Sequence, residues 1–330
     1  MKSSRYKSWI RLVGVLLGGC VLYFALRSVR LQELAVALTS NINEFLVLCI
    51  LSWIASILFQ AWRWQIMLNA QRSVAFNSAL MLYLINRLTN LLFLFRAGEG
   101  IRVATGSKKL QINAPYLIAT IVNERILNFV FLALIALGLT FSLPFLEPIR
   151  VWLVGGLLTL LPLGWWVIQK TKDTSNPREV EQIAHRTSRL KQCFHRFMTG
   201  IAILKKPAIL RGVVLTSVGS WCCLWLGIWC LVQNLQPSSH TMAALAVLLL
   251  INIAGLLPIT PSSVGPFQWA CILALSHFGV AQTEAVAFSL ILQAVRIIAA
   301  VLLSLGGVSA DYLHFPPRRK KYLAHHEVPH

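Results

Sequence analysis

Charged residues are scarce in this sequence. They make up 12% of its 330 residues, whereas 57% are hydrophobic. No Lys, Arg, Asp or Glu occurs between Gly212 and Thr283. A soluble protein needs more polar surface than this, and several apolar runs exceed the roughly 18 residues that indicate a membrane span. The composition therefore excludes an ordinary soluble fold. It predicts an all-α polytopic membrane protein, with one domain over residues 1–312 and a basic tail over 313–330.

Acidic residues are fewer still. The chain has 11 Asp and Glu against 30 Lys and Arg, for a net charge of +19. This excess does not indicate a nucleic-acid partner, because about 24 of the basic residues fall in segments on one side of the predicted spans. The positive-inside rule then places both termini and the basic loop 169–211 in the cytoplasm, with the chain in the cell membrane. Membrane lipids with anionic headgroups are the expected partners.

Motifs for catalysis, metals and cofactors are missing. The seven Cys residues include no CxxC pair, and no HExxH, P-loop, GxSxG or paired aspartates occur. His185, Cys193 and His195 share one basic loop, where a solvated surface is favoured over a metal site. We therefore expect no metal, no cofactor and no enzymatic activity. An integral-membrane enzyme acting on lipid-linked substrates is one alternative.

Apolar runs predict full spans near residues 9–26, 45–61, 115–141, 151–168, 212–232 and 286–306. Two further apolar stretches, 78–95 and 242–278, are interrupted by polar residues, glycine or proline. If both turn back as re-entrant hairpins, the chain has six full spans; if the second crosses as two helices, it has eight. Loop 169–211 is predicted to contain an amphipathic helix near the interface. The AWRWQ segment, with Trp62 and Trp64 flanking Arg63, resembles an interfacial anchor.

The two interrupted stretches contain similar turns. LLFLFRAGEG ends at Gly100 and LLPITPSSVG ends at Gly265, and each places a glycine eight residues after a Leu-Leu pair. In the re-entrant arrangement, one turn opens inside and the other outside. An inverted-topology repeat would give this pattern.

The first turn carries a cluster of charge. Arg96, Glu99 and Arg102 lie in the predicted loop 96–109, where we expect a helix to reverse at Gly98. Two guanidinium groups beside a glycine turn suit a phosphate, because Arg donates bidentate hydrogen bonds. A lipid headgroup is the expected anion.

Ionisable residues inside the apolar runs are further candidates, since each costs roughly 2.5–3.5 kcal/mol on membrane-insertion scales. Glu124 and Arg125 cannot pair with each other, because adjacent helical residues point about 100° apart. Arg125 therefore needs another partner, for which Glu99 is the candidate, while Glu124 shares a face with Asn128. Arg296 has no acidic residue in its own predicted span. Buried ion pairs that hold helices together are the structural alternative.

Three segments give the chain a resemblance to a known family. NLLFLFRAGEGIR is similar to a RAGE…R segment, NERILNF to Glu-Arg followed three residues later by Asp, and LLPITPSSVGPFQWA to LP-x-x-PGG-x-G-x-x-E. The family is that of the flippase-like transmembrane region of lysylphosphatidylglycerol synthase, and the resemblance covers nearly the whole chain. It implies a lipid flippase or translocase that moves a phospholipid or lipid-linked precursor across the bilayer.

The resemblance also implies site residues. The motif positions are taken by Arg96, Gly98, Glu99, Arg102, Glu124, Arg125, Pro258, Pro261 and Gly265. The chain departs from the pattern at Asn128, where the family often has Asp, at Ser262 and Ser263, which replace paired glycines, and at Gln268, where Glu is expected. Two ionisable groups are thus replaced by amides.

Family members accompany aminoacyl-phospholipid synthesis and polyprenyl-linked sugar pathways, so the resemblance implies a lipid-biosynthetic enzyme as a partner. We expect no soluble aminoacyl-transferase domain after the last span, and therefore no lysyl transfer by this chain alone. The other alternative is an accessory or scaffold protein for a lipid-modifying enzyme or a glycosyltransferase.

Overall fold

The computed structural model describes residues 43–92, 97–142, 150–151, 154–156, 158–159, 169, 189–256 and 264–312. All regular structure in these residues is helical, which confirms the predicted all-α class. The predicted first span (9–26), most of the predicted span 151–168 and the basic tail lie outside them. The loop residues of the second turn, Pro258 to Ser263, also lie outside the described residues, as does Arg96.

Nine α-helices have defined bounds in these residues. They are α1 (Glu44–Asn69), α2 (Phe76–Leu92), α3 (Ala97–Leu110), α4 (Ala114–Ser142), α5 (Arg189–Ala202), α6 (Pro207–Val232), α7 (His240–Ala254), α8 (Pro266–Ser276) and α9 (Gln282–Tyr312). Four of them, α1, α4, α6 and α9, are long and apolar enough to cross a membrane. They contain four of the six predicted spans. Helices α7 and α8 are apolar but shorter.

Helix α1 continues well past its predicted end. It runs through AWRWQ to Asn69, and the side chains of Arg63 and Trp64 lie in the protein core, with Arg63 only 2% exposed. Trp62 is 49% exposed. The predicted interfacial anchor is therefore wrong for Arg63 and Trp64. A charged residue does not end this helix, because neighbouring helices provide polar partners for it.

Helices α2 and α3 form an antiparallel pair, hairpin 1. At its base, the side chain of Arg72, just before α2, donates to the carbonyl oxygen of Leu110 at the end of α3, over 3.0 Å. Towards its tip, the Gly98 amide donates to the side-chain oxygen of Asn90 over 2.9 Å. The predicted loop 96–109 is wrong, because this segment is helical from Ala97 onward.

The chain also reverses before Gly98, not at it, since α2 ends at Leu92 and α3 begins at Ala97. Gly98 instead permits a close approach of the two helices. A Cβ at this position would lie 2.4 Å from the backbone oxygen of Asn86, closer than real Cβ contacts. The glycine is therefore required by packing against α2.

Helices α7 and α8 form a second antiparallel pair, hairpin 2. At its base, the Ser238 amide, just before α7, donates to the Phe278 carbonyl oxygen, just after α8, over 3.0 Å. Gly265 is the N-cap of α8 and has φ 91°, a conformation that favours glycine. Gly100, its counterpart in the sequence comparison, lies inside α3 and is exposed. The two glycines are therefore not structurally equivalent.

The two hairpins open toward opposite ends of the bundle. Helix α1 ends at Asn69, beside the base of hairpin 1. Its other end is joined to the end of α6 by a 2.6 Å hydrogen bond from Asn43 to Asn234, just before the base of hairpin 2 at Ser238. The 26 residues of α1 span about 39 Å at 1.5 Å per residue. The bases therefore lie at opposite ends of α1, and the arms of the two hairpins extend from them in opposite directions.

The amphipathic helix predicted in loop 169–211 is present as α5 where that loop is described. It packs against the beginning of α4, and the side-chain amide of Asn123 donates to the Gly200 carbonyl oxygen over 3.0 Å. A Cβ on Gly200 would lie 2.5 Å from that of Ala119. The basic helix is thus attached to the membrane-spanning helices at the end where hairpin 1 has its base.

The packing of hairpin 1 can be tested with two glycines of α3. We expect Gly98→Ala to lower the stability of the detergent-solubilised protein by about 1–3 kcal/mol, because the added methyl group overlaps the α2 backbone. Gly100→Ala is the matched control. Its Cβ would meet nothing within 4 Å, and alanine stabilises a helix interior by about 0.5–1 kcal/mol over glycine. Thermal unfolding followed by size-exclusion fluorescence measures both. Equal melting temperatures would contradict the close approach.

Candidate functional site

A buried ion pair joins hairpin 1 to α4. The guanidinium of Arg102 donates to both carboxylate oxygens of Glu124, with N–O distances of 3.0 and 3.3 Å. Arg102 is 1% exposed and Glu124 is buried. The bidentate geometry gives the pair both energy and a fixed orientation. It therefore fixes α3 against α4 inside the protein.

The guanidinium of Arg102 also lies on aromatic rings. Its Cζ atom is 3.6 Å from the centroid of the Trp64 ring and 5.0 Å from that of Tyr83. The Trp64 indole donates to the hydroxyl of Thr120 over 3.1 Å, which fixes the ring. Cation–π contacts of a desolvated guanidinium contribute up to about 2 kcal/mol. Side chains from α1, α2, α3 and α4 thus converge on one charge.

A second ion pair runs parallel to the first. Arg125 of α4 pairs with Glu99 of α3, as predicted from the 100° separation of neighbouring helical residues. Glu99 and Arg102 are three residues apart and face α4 together. This pair is more accessible than the first, with side-chain exposures of 36% for Arg125 and 25% for Glu99. Of the two guanidiniums in the predicted phosphate grip, that of Arg102 pairs with Glu124, and Arg96 lies outside the described residues.

Asn128 contacts a different arginine. Its side-chain oxygen accepts a 3.1 Å hydrogen bond from Arg63 of α1, whose guanidinium also donates to the Ser217 hydroxyl of α6 at 3.1 Å. Asn128 does not join the Glu124 pair, although both lie on one face of α4. Through these two hydrogen bonds, Arg63 of α1 joins Asn128 of α4 and Ser217 of α6. Its partner in α4 is thus a neutral amide.

Arg296 lies apart from these ion pairs, near the start of α8. Its Cζ atom is 4.6 Å from the centroid of the Phe267 ring and 5.7 Å from that of Trp53. The adjacent residue Gln268 is buried and accepts from the Gly265 amide over 2.7 Å. Its amide nitrogen donates to Gln293 of α9. Gln268 thus caps α8 and joins it to α9.

Two polar side chains not singled out from the sequence lie between these groups. The side-chain oxygen of Gln60 in α1 accepts from the Tyr83 hydroxyl and from Arg87, both over 2.5 Å. Arg87 carried the same signal as Arg296, a cation in an apolar run without a nearby acid. The Arg102 guanidinium contacts the Tyr83 ring, and the Tyr83 hydroxyl shares the Gln60 side-chain oxygen with Arg87. These four side chains are therefore connected inside the protein.

No group of three or more His, Cys, Asp or Glu side chains able to hold a metal occurs within the part of the chain that the structure describes. The interior groups are instead guanidiniums, carboxylates, amides and aromatic rings.

A sequence model of the lysylphosphatidylglycerol synthase TM region matches residues 11–304. The chain belongs to this family. No curated protein and no solved structure matches the chain. Family membership and the four apolar spans together identify a lysylphosphatidylglycerol synthase TM-region protein of the membrane, and the family suggests a role in lipid metabolism or transport.

The buried ion pair of this TM-region protein can be tested by a double-mutant comparison. Glu124→Gln leaves the Arg102 guanidinium buried without a carboxylate, and we expect a loss of about 3–5 kcal/mol in stability. Replacing both partners, as Arg102→Met with Glu124→Leu, removes the unpaired charge and is expected to recover most of this loss. Glu44→Gln, an exposed carboxylate of α1, is the control. Thermal unfolding in detergent is the measurement, and a Glu124→Gln variant that unfolds with the wild type would refute the assignment.

Proposed function

We propose that this protein moves a phospholipid or a lipid-linked precursor across the membrane. The observation that carries the proposal is the pair of helical hairpins with bases at opposite ends of α1 and arms that extend in opposite directions. Family membership supports a lipid as the substrate class. The buried and half-buried charges between the helices provide contacts for a polar headgroup.

The described arms of both hairpins are shorter than most membrane-spanning helices. The arms have 17, 14, 15 and 11 residues, so they extend about 16–26 Å, against a hydrocarbon core of about 30 Å. In the proposed arrangement each hairpin enters and leaves on the same side, hairpin 1 from one side and hairpin 2 from the other. Transporters with inverted repeats place their substrate sites near the midplane, where such broken helices meet.

The two ion pairs then have different roles. The Arg102–Glu124 pair is buried, so opening it would leave a desolvated charge, and it keeps hairpin 1 attached to α4. The Arg125–Glu99 pair is partly exposed, and pairs of this kind contribute little net stability. A phosphate is able to replace the Glu99 carboxylate at Arg125 at small cost. We therefore assign headgroup contact to Arg125 and anchoring to Arg102.

The topology can be tested by cysteine labelling. In a background with all seven native cysteines replaced by Ala, we expect Cys at Gln71 and Lys108 to react with an impermeant maleimide from one side of sealed vesicles. Cys at Ser238 and His277 should react only from the other side. All four positions are exposed, and the cysteine-free parent is the control for background labelling. Labelling of Cys at Ala97, the exposed first residue of α3, from the side opposite to Gln71 and Lys108 would mean that the helices of hairpin 1 cross the membrane.

Lipid movement can be tested in liposomes that contain the purified protein and fluorescent phosphatidylglycerol, with dithionite quenching as the measurement. We expect movement above that of protein-free liposomes. Arg125→Gln should slow it about tenfold or more, because a charge-assisted hydrogen bond contributes about 1.5–3 kcal/mol. Arg211→Gln, which removes an exposed positive charge at the start of α6, should leave the rate unchanged.

Absence of movement for phosphatidylglycerol and for a polyprenyl phosphate would argue against translocation. Co-purification of a lipid-modifying enzyme in that case would favour an accessory role. Modification of the added lipid by the purified protein alone would favour an enzyme.

A further inference from the structure

Arg63 of α1 is a buried cation, 2% exposed, whose hydrogen bonds go to neutral groups. Its Nη1 atom donates to the side-chain oxygen of Asn128 and to the hydroxyl of Ser217, over 3.1 Å each. That hydroxyl donates in turn to the Val213 carbonyl oxygen over 2.7 Å, so it presents only a lone pair to the guanidinium. The Nε atom of Arg63 is buried without a hydrogen-bond partner. Buried charges are normally paired, but this one is not neutralised by the groups that it contacts.

Arg87 of α2 repeats this arrangement closer to the protein surface, where it is half-buried. It donates to the side-chain oxygen of Gln60, which also accepts from the Tyr83 hydroxyl. Its Cζ atom lies 5.5 Å from the centroid of the Tyr83 ring, and that of Arg102 lies 5.0 Å from the same centroid. An amide and an aromatic ring carry no net charge. Arg87 therefore adds a second cation with neutral contacts, on the ring that Arg102 also contacts.

The two carboxylates described in this region are already engaged. Glu124 pairs with Arg102, and Glu99 pairs with Arg125. The other acidic side chains whose exposure is described lie at the beginnings of α1 and α9 and are exposed: Glu44 and Glu284. Four guanidiniums thus stand against two carboxylates in the described part of this region, and the excess charge is positive.

This excess charge lies close to the ion pair to which headgroup contact is assigned above. Asn128 follows Arg125 by three residues in α4, and residues at this spacing have Cβ atoms about 5–6 Å apart. Arg63 is hydrogen-bonded to that same Asn128. For unit charges about 10 Å apart at an effective dielectric constant of about 20, Coulomb's law corresponds to a change on the order of tenfold in a binding constant. The field of Arg63 is therefore able to influence which ligand binds at Arg125.

We propose that the amides of Asn128 and Gln60 determine the charge of the headgroup that this protein accepts. Each amide leaves an interior arginine without a counter-charge, so the Arg125 site favours lipids with a net negative charge over zwitterionic and cationic ones. Arg63 and Arg87 act through their electric field and need not touch the lipid. The inference rests on the proposed function, which places a headgroup at Arg125.

Both amides can be changed to the carboxylate of the same shape. In Asn128→Asp the oxygen that accepts from Arg63 is kept, and the contact becomes an ion pair. In Gln60→Glu both acceptor contacts are kept as well. The Ser56 hydroxyl, which accepts from the Gln60 nitrogen over 2.8 Å, can donate instead, because its bond to Ser220 allows either oxygen to be the donor. Each substitution thus adds one negative charge beside one arginine.

The test is calorimetric titration of the detergent-solubilised full-length protein with three dioctanoyl lipids: anionic phosphatidylglycerol, zwitterionic phosphatidylcholine and cationic ethylphosphatidylcholine. We expect the wild type to bind the anionic lipid about tenfold or more tightly than the zwitterionic one, and the cationic lipid most weakly. Asn128→Asp and Gln60→Glu should each lower the ratio of the first two affinities about fivefold or more. The protein with both substitutions should lower it further.

Two control variants separate charge from packing. Gln71→Glu makes the same chemical change at an exposed amide just after α1, so it should bind all three lipids as the wild type does. Asn128→Ser keeps a neutral acceptor for Arg63 and should retain the wild-type ratio of affinities. A structural role of Asn128 alone would not make the effect of its substitution depend on the charge of the lipid.

Thermal unfolding without lipid provides a second measurement. Asn128→Asp should unfold at or above the wild-type temperature, because the buried guanidinium of Arg63 gains a carboxylate. Equal affinity of the wild type for the anionic and zwitterionic lipids, no binding of either, or an unchanged ratio in both Asn128→Asp and Gln60→Glu would overturn the proposal. If one of these variants fails to fold, the other decides.

Lipid movement in liposomes distinguishes this inference from the proposed function. Movement of phosphatidylglycerol and phosphatidylcholine at equal rates would contradict the charge selection and leave the translocase standing. Binding that depends on headgroup charge, without movement of any lipid, would contradict the translocase and leave the selection standing.

Discussion

The burial of Arg102 is the constraint on which the rest of the interior depends. A guanidinium is costly to bury unless it is paired or hydrogen-bonded, and for Arg102 the Glu124 carboxylate and the Trp64 ring provide these contacts. These contacts fix α3 against α4 and α1. Because α3 is one arm of hairpin 1, the ion pair also sets where the tip of that hairpin lies. The neighbouring Arg125–Glu99 pair reinforces the same contact.

The position of hairpin 1 determines what its tip meets. Tyr83 lies between Arg102 and Gln60, and Gln60 accepts a hydrogen bond from Arg87 of α2. Contacts between polar side chains thus extend from the ion pair that anchors the hairpin to Arg87 of α2. Hairpin 2 contributes from the opposite end, where Gln268 caps α8 and holds it to α9. The side-chain amides of Gln60 and Asn128 accept hydrogen bonds from Arg87 and Arg63 without neutralising their charge.

Several features of the interior were predictable from local chemistry. The geometry of adjacent helical residues excluded a Glu124–Arg125 pair and indicated Glu99 as the partner of Arg125, which is confirmed. Arg63 was misassigned because tryptophans beside a cation are typical of an interface, although here neighbouring helices bury it. The helix α3 was interpreted as a loop because its glycines and charges resemble a solvated turn. Inside a protein the same charges are satisfied by α4, so the backbone remains helical.

The sequence by itself determined that the chain is a membrane protein of helices, where four of its spans lie, and which ionisable residues needed partners. Those properties follow from hydropathy and the geometry of one helix, which are local. Only the tertiary structure decided that Gly98 serves packing, that Arg102 pairs with Glu124, and that Arg87 donates to Gln60 of α1. These properties depend on which helices are neighbours, and side chains far apart in sequence decide that together.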